Sequence, residues 1–348
     1  MDCVSWPRVS EDLASTRRAV AAFLEDFDAP HSAACHSDWV VKWTKIGDAH
    51  ILFGDANVQK GQIGDAEKAW LCALTAFELA RRLAREEAAE SEKVTAKIAS
   101  AVRKIGSLDR RIERVQVECF DQSDILAYYL PAAGRSKAPA VICISTEEET
   151  VTTLLGRILP VLTDRGISVL VVAHEDISNF RSQSDMALSC CLDYLSARSD
   201  VDAARIGVYG DGLSAALATE LVLSDRRVAA AVCDGGLWIL ARMLASIQWL
   251  TGTSDFPDDK VVSSRRSRMI RQFKCPVLVV ASARGMVSLP ETSKLLSQAS
   301  AASIDLQLVM PRTMTARFGE IEDFVTFDER IFGWLEDKLV PESASQAC

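Results

Sequence analysis

A short apolar strand that runs through a glycine-rich turn into an alanine-rich helix, residues 205–220, is the stretch best suited to carry chemistry. Such elbows present a nucleophile in the pattern Gly-x-Ser-x-Gly, where the turn is sharp and small neighbours let strand and helix approach closely. Alignment of Gly210 with the first glycine puts Gly212 at the nucleophile position and Ser214 at the last glycine. The elbow is therefore predicted, but the residue that should attack the substrate is missing from it.

Three side chains near this elbow are candidates for catalysis. His174 is the sole histidine after residue 50 and follows a predicted strand, so we take it as the general base; the alternative is a histidine held by a backbone carbonyl in a turn. Asp211 is the candidate to orient it, although an aspartate here can equally cap the following helix. Ser214 is the remaining candidate nucleophile, unless its side chain turns away in the first helical turn. The predicted catalytic set is His174, Asp211 and Ser214.

The candidate substrate-binding residues lie at the same edge, because parallel sheets bind ligands outside the carboxyl ends of their strands. Ser145 and Thr146 follow the first predicted parallel strand. Arg284 and Arg312 follow later strands, where they would bind an anion or a carbonyl group unless they are simply solvated charges. The predicted substrate-binding residues are Ser145, Thr146, Gly212, Leu213, Arg284 and Arg312.

The elements that must position these residues form two regions. Over residues 1–110 apolar residues recur at helical spacing, which predicts a helical N-terminal or cap domain; one copy of a helix-pair pattern does not suffice for a repeat array, which needs about three. Over residues 111–348 a two-stranded hairpin precedes apolar strands that alternate with helices. This pattern predicts an α/β domain with a mostly parallel sheet of about eight strands, buried on both faces. An insertion at about 235–273 stands where part of a lid would fit.

Composition excludes several classes of protein. The chain has 348 residues, 49% of them hydrophobic, and a net charge of -9, so it has material for a large core and no basic field for nucleic acid. No apolar run approaches the roughly 20 residues of a membrane-spanning helix and no signal-peptide pattern is found, which predicts no membrane association and a cytoplasmic location. The ten cysteines are scattered, and Cys190, Cys191 and Cys233 are predicted core residues. No metal and no other cofactor is predicted.

Several further segments occur in a recognisable order over residues 39–338. They are Trp43 with Gly47 and Asp48, residues 115–118, residues 201–207, the elbow, and residues 275–280. In this order and spacing the chain resembles the α/β-hydrolases, in particular the group of fermentation/respiration-switch-type esterase-like proteins and 2,6-dihydroxypseudooxynicotine hydrolase. The resemblance implies an α/β-hydrolase fold with an N-terminal helical cap domain, and pairing of two copies through the cap.

The same resemblance implies a degenerate catalytic triad. The nucleophile position of the family is Gly212 here, the acid position is Gly285, and the stretch 311–318 contains no histidine. The loop after the first parallel strand, which carries glycines in relatives, reads Ser145-Thr-Glu-Glu-Glu149. Loss of nucleophile, acid and base together would lower turnover by triad chemistry on the order of 10⁶-fold.

Two functions from different classes follow. In the first, a pocket aligns an acyl donor with an external nucleophile, so that proximity and hydrogen bonding replace a covalent intermediate. The protein would then transfer or hydrolyse the ester or thioester of a bulky natural-product intermediate, free or on a carrier protein. In the second, it is a pseudoenzyme that binds a small ligand or a partner protein. A retained cap and an apolar insertion favour the first, and Trp39, Trp43 and Trp70 on a polar helical region predict a homodimer.

Overall fold

The computed structural model describes residues 12–26, 33–84, 88–109, 112–119, 124–134, 137–179, 184–250, 259–280, 289–310, 313–316 and 319–340. By its internal contacts the chain divides into two units. The first comprises Met1–Ile112, Thr152–Thr163 and Arg312–Arg330, and the second comprises Glu113–Val151, Asp164–Pro311 and Ile331–Cys348. The first unit thus contains the predicted helical region together with two later segments that the sequence assigns to the α/β domain.

The described residues form twelve helices and ten strands. The chain begins with α1 (Leu13–Asp26), α2 (Ala33–Gln59), α3 (Ile63–Leu83) and α4 (Ala88–Asp109). There follow β1 (Glu113–Val117), β2 (Ile125–Leu130), β3 (Ala138–Ile144), α5 (Val151–Leu162), β4 (Ser168–Val172), α6 (His174–Ser178), α7 (Ser184–Ala197), β5 (Val201–Asp211) and α8 (Leu213–Ser224). The remainder comprises β6 (Val228–Asp234), α9 (Gly236–Leu250), α10 (Asp259–Ile270), β7 (Val277–Val280), α11 (Leu289–Ala301), β8 (Leu306–Val309), β9 (Thr313–Ala316), β10 (Gly319–Glu322) and α12 (Phe324–Leu339).

Helix α3 contains fourteen buried residues and packs closely on α2. Gly47 of α2 makes this approach feasible, because a Cβ there would lie 2.3 Å from Cε1 of the Phe77 ring. Trp43 and Trp70 are buried, with 0% and 3% of their surface exposed, and Trp39 is half-buried. The homodimer was predicted from exposure of all three tryptophans. For Trp43 and Trp70 that exposure is wrong, because both side chains are buried.

A group of buried charges also lies in the first unit. Glu78 accepts hydrogen bonds of 2.8 Å from both Arg81 and Arg82. Burial raises the pKa of Glu78, but the two guanidinium groups outweigh it and lower that pKa to about 2. Asp328 lies 3.5 Å from Arg157, and no described residue donates a hydrogen bond to its carboxylate. Burial raises the pKa of Asp328 to about 6, against the attraction of Arg157.

The second unit is built on an eight-stranded sheet of order β1-β2-β4-β3-β5-β6-β7-β8. Strand β2 runs antiparallel to β1 and to β4, and the remaining pairs are parallel. The prediction of a mostly parallel sheet with an antiparallel hairpin at its edge is confirmed. Strands β4 and β7 are buried at every position, as their almost wholly apolar sequences predict for strands covered on both faces. The antiparallel pair β9–β10 forms a separate hairpin that the sequence did not predict.

The described part of the insertion at about 235–273 consists of α9 and α10. Leu237, Trp238 and Ala241 in the first turns of α9 are buried, and so is Ile270 at the end of α10. These residues belong to the hydrophobic core of the second unit, together with residues of the sheet and of α7 and α8. The described part of the insertion thus packs as core, which differs from the expectation of a lid.

Candidate active site

Strand β5, Gly212 and helix α8 form the predicted strand–turn–helix elbow. Strand β5 ends at Asp211 and α8 begins at Leu213, so that Gly212 is the one residue between them. Its backbone has φ 61° and ψ −129°, a region that residues with a side chain rarely adopt. The turn is therefore as sharp as the elbow requires, with a glycine where a nucleophile would stand.

Two further glycines allow neighbouring backbone to approach the first turn of α8 closely. A Cβ on Gly210 of β5 would lie 2.4 Å from the backbone oxygen of Ser214, and a Cβ on Gly236 of α9 would lie 2.2 Å from that of Ala215. Both distances are far below normal van der Waals contact, so any larger residue would displace the backbone. Strand and helix thus approach α8 from two sides more closely than a side chain would allow.

A chain of hydrogen bonds joins the ends of β3 and β4 to this turn. The buried Ser214 has its Oγ 2.5 Å from the carbonyl oxygen of Ser145 and 2.7 Å from Nδ1 of His174. The Oγ of Ser145 in turn accepts a 3.1 Å hydrogen bond from the backbone N–H of His174. These contacts form because β4, β3 and β5 are neighbours in the sheet and end at the same edge. Ser145, His174 and Ser214, all predicted site residues, are brought together.

The single proton of the Ser214 hydroxyl determines the tautomer of His174. A carbonyl oxygen can only accept, so the hydroxyl donates its proton to Ser145 and must accept from Nδ1–H of His174. A neutral imidazole carries one ring proton, which leaves Nε2 as the acceptor. None of the described residues forms a hydrogen bond with Nε2. His174 is thus oriented as a general base must be, with a lone pair free for an attacking group.

The other predicted site residues are more dispersed. Asp211 is half-buried at the end of β5. It makes no hydrogen bond to His174 in the described structure, and no side chain caps the start of α8. The described contacts therefore support neither orientation of His174 nor helix capping by Asp211. Thr146 is buried and Leu213 is exposed. Arg284 and Arg312 lie outside the described residues.

The contact of Ser214 with the backbone of Ser145 was not predicted from the sequence, whereas burial of Cys233 was. The carbonyl oxygen of Ser145, which fixes the hydroxyl of Ser214, is a backbone group and leaves no signal in the sequence. Cys233 at the end of β6 is buried, as predicted for a spacer.

Acidic residues directly follow the ends of β3 and β4 in the chain. Glu175 and Asp176 follow His174 in α6, and burial together with the charge of Glu175 raises the pKa of Asp176. Glu147 and Glu148 follow Ser145 and Thr146 and are exposed. This concentration of negative charge disfavours an anionic group next to His174.

The described ranges contain neither a cluster of metal ligands nor a membrane-spanning helix. No three or more histidine, cysteine, aspartate or glutamate side chains are grouped so that they could bind a metal ion. No helix there combines the length and the hydropathy that crossing a bilayer requires.

No protein-family model and no curated protein matches the sequence, whereas solved structures match the fold. The crystal structure of 2,6-dihydroxy-pseudo-oxynicotine hydrolase aligns with a TM-score of 0.59 and 18% identity, over 93% of this chain and 95% of that one. The acylaminoacyl peptidase of Pyrococcus horikoshii aligns with a TM-score of 0.50 and 12% identity, over 68% of this chain and 43% of the peptidase. A puromycin-hydrolysing peptidase of Mycobacterium tuberculosis gives 0.50 and 15%, over 68% and 41%. The chain spans less than half of either peptidase, and at these identities the matches bear on the fold alone.

Proposed function

We propose that this chain, which has the α/β-hydrolase fold, catalyses transfer or hydrolysis of an ester or thioester acyl group without a covalent serine intermediate. The observation that carries the proposal is the hydrogen-bonded chain from Ser145 through Ser214 to His174, beside the turn at Gly212. Gly212 has no side chain that could attack, and the Oγ of Ser214 is buried and engaged in two hydrogen bonds. The nucleophile is therefore external, either water or the hydroxyl or amine of an acceptor.

His174 acts as the general base in this reaction. As the external nucleophile bonds to the acyl carbon, Nε2 of His174 takes its proton and the carbonyl electron pair moves onto oxygen. The backbone N–H of Leu213 precedes the first hydrogen bond of α8, which Ala215 donates to the carbonyl oxygen of Gly212, and it is the proposed donor to this oxyanion. When the tetrahedral species collapses, the C–O or C–S bond breaks and the leaving group receives the proton from Nε2.

Ser214 is a positioning residue in this scheme. It accepts a hydrogen bond from Nδ1–H of His174, and that bond becomes charge-assisted once the ring is protonated. A neutral hydroxyl stabilises the imidazolium less than the carboxylate of a triad would. We therefore expect slow turnover, with most of the rate enhancement supplied by alignment of donor and acceptor.

The proposed substrate is a bulky, uncharged acyl group of a natural-product intermediate, either free or on a carrier protein. The exposed carboxylate of Glu175, next to His174 in α6, supports an acyl group without negative charge. One structure that matches nearly the whole chain is a hydrolase of 2,6-dihydroxypseudooxynicotine, which supports a substrate of comparable size.

A second candidate function is that of a non-catalytic pseudoenzyme that binds a small ligand or a partner protein. The glycine at the turn favours it, because the residue that fold members use for covalent chemistry is missing. For either function we propose a cytoplasmic homodimer. Support for pairing comes from Leu52 and Phe53 of α2, whose side chains are exposed on the helical unit.

Turnover by the purified chain separates the two functions. A panel of aryl esters and acyl thioesters is incubated with water alone and with added hydroxyl or amine acceptors, and product formation is compared with buffer and with His174→Gln. The acyl-transfer proposal expects at least one donor to react and the variant to be slower. If no donor reacts above buffer, the binding function replaces it; if the variant equals wild type, His174 is not the base.

A further inference from the structure

A polar groove lies in the second unit between the last turns of α10 and α11. Its volume is about 540 Å³ and its lining residues are Ser264, Ser267, Arg268, Arg271, Gln272 and Gln298. All six side chains carry hydrogen-bond donors and none is acidic. Helix α10 ends just before β7 and α11 just before β8, so the groove lies at the amino ends of these strands. His174 follows the carboxyl end of β4, so it lies at the opposite edge of the sheet.

Positive charge is concentrated around this groove, although the whole chain carries a net charge of -9. Arg268, Arg271 and Lys274 are exposed at the end of α10 and just after it, and Lys294 is exposed on α11. No ion pair joins any of these four cations to a carboxylate of the described residues. Arg227, by contrast, is another exposed arginine of this unit and pairs with two aspartates. The groove thus holds cationic side chains whose charge the described part of the fold does not neutralise.

Hydrogen bonds order the walls of the groove. Nε of Arg271 donates to the carbonyl oxygen of Ser267 at 3.2 Å, which leaves its terminal NH₂ groups for another partner. The Oγ of Ser267 lies 2.9 Å from Oε1 of Gln298 and links the two helices. Lys294 donates to Oγ of Ser263 at 2.8 Å, which is a second link. Part of the ordering that binding requires is therefore already present in the free protein.

We propose that this groove binds the phosphate group of an organic phosphate, held by Arg268 and Arg271. Guanidinium groups match the geometry of phosphate oxygens, and a phosphate dianion has enough acceptors for several donors of the groove. The C-terminal ends of α10 and α11 oppose an anion, but each carries only about half an elementary charge, less than the full charge of one arginine. Because the groove and His174 lie at opposite edges of the sheet, the site is separate from the proposed acyl-transfer site.

Calorimetry with the full chain at low salt tests the proposal, with inorganic pyrophosphate and a phosphate monoester as probes. The double variant Arg268→Gln/Arg271→Gln keeps amide donors but removes both charges, and we expect it to bind about tenfold or more weakly than wild type. Arg114→Gln is the matched control, because Arg114 is exposed on β1, which is the outermost strand on the side of the sheet away from β7 and β8. It should retain wild-type affinity, and both variants should retain any esterase or transferase turnover.

A second arm distinguishes a soluble organic phosphate from a lipid headgroup. Vesicles containing phosphatidic acid are compared with vesicles of phosphatidylcholine alone, using wild type and the two variants. Binding of either phosphate source that depends on Arg268 and Arg271 supports the proposal and identifies the source. If wild type binds neither source at millimolar concentration, or if the double variant binds as tightly as wild type, the proposal is overturned.

Discussion

Replacement of Asp328 by asparagine should change the way in which stability depends on pH. Asp328 is buried in the first unit beside Arg157, and burial raises its pKa from 3.8 to about 6. Between these two values the folded protein keeps a proton that the unfolded chain has already lost. The free energy of unfolding therefore falls as the pH rises through this window, and the protonated carboxyl contributes fully only below it.

The magnitude follows from the difference between the two pKa values. A shift of about two units at about 1.36 kcal/mol per unit gives about 3 kcal/mol in all, of which about 2 kcal/mol is lost between about pH 4.5 and pH 7. Glu78 acts in the opposite sense, because Arg81 and Arg82 lower its pKa to about 2, and its stabilisation is lost only as the pH falls below 4.5. Above about pH 4.5, Glu78 therefore does not oppose the change in stability that comes from Asp328.

Urea unfolding at a series of pH values measures the effect. The stability of Asp328→Asn relative to wild type should improve by about 2 kcal/mol between about pH 4.5 and pH 7. Because only the pH dependence is compared, any constant effect of an amide beside Arg157 cancels. Asp337→Asn is the control, since Asp337 is exposed on the same helix, and its profile should parallel wild type. Parallel profiles for Asp328→Asn and wild type would refute the argument from burial.

The remaining predictions concern the elbow. His174→Ala should slow turnover of any reactive donor by about 10²–10⁴-fold with donor binding unchanged, as steady-state kinetics will show; a wild-type rate contradicts its role as base. Ser214→Ala should lower kcat by about ten- to a hundredfold with little change in KM, and a change in KM alone would speak against positioning. A fluorophosphonate probe should leave the protein unlabelled, because Gly212 has no side chain; stoichiometric labelling at Ser214 in mass spectrometry contradicts this. Gly236→Ala should lower the free energy of unfolding by about 1–3 kcal/mol, whereas Gly64→Ala, with open space around it, should not.

The sheet could be predicted from the sequence because its strands have one simple pattern. Apart from Ser168, the residues of β4 and β7 are all apolar, and apolar strands that alternate with helices indicate parallel strands covered on both faces. The β9–β10 hairpin was missed because its two short strands, Thr-Met-Thr-Ala and Gly-Glu-Ile-Glu, contain no apolar run like that of β7. Burial of Trp43 and Trp70 was missed for a different reason, since helical spacing does not tell which apolar residues a neighbouring helix covers.

The sequence predicts which residues lie at the carboxyl ends of the strands, but it does not predict the hydrogen bonds between them. Ser145 and His174 follow strands, and parallel strands end at a common edge, so their proximity could be expected. The hydrogen bond between His174 and Ser214 could not, because it depends on the position of the first turn of α8. That position follows from the close approach of Gly210 and Gly236, which is a property of packing and not of local sequence.

The sharp turn at Gly212 forms although the residue there has no nucleophilic side chain. Its φ of 61° is set by β5 and α9 closing on α8, and no side chain at position 212 takes part. A serine there would carry a backbone strain of about 1–3 kcal/mol. It would restore the nucleophile alone, because position 285 is a glycine and the stretch 311–318 contains no histidine. A return to the triad chemistry of the family would therefore need substitutions at three separate places in the chain.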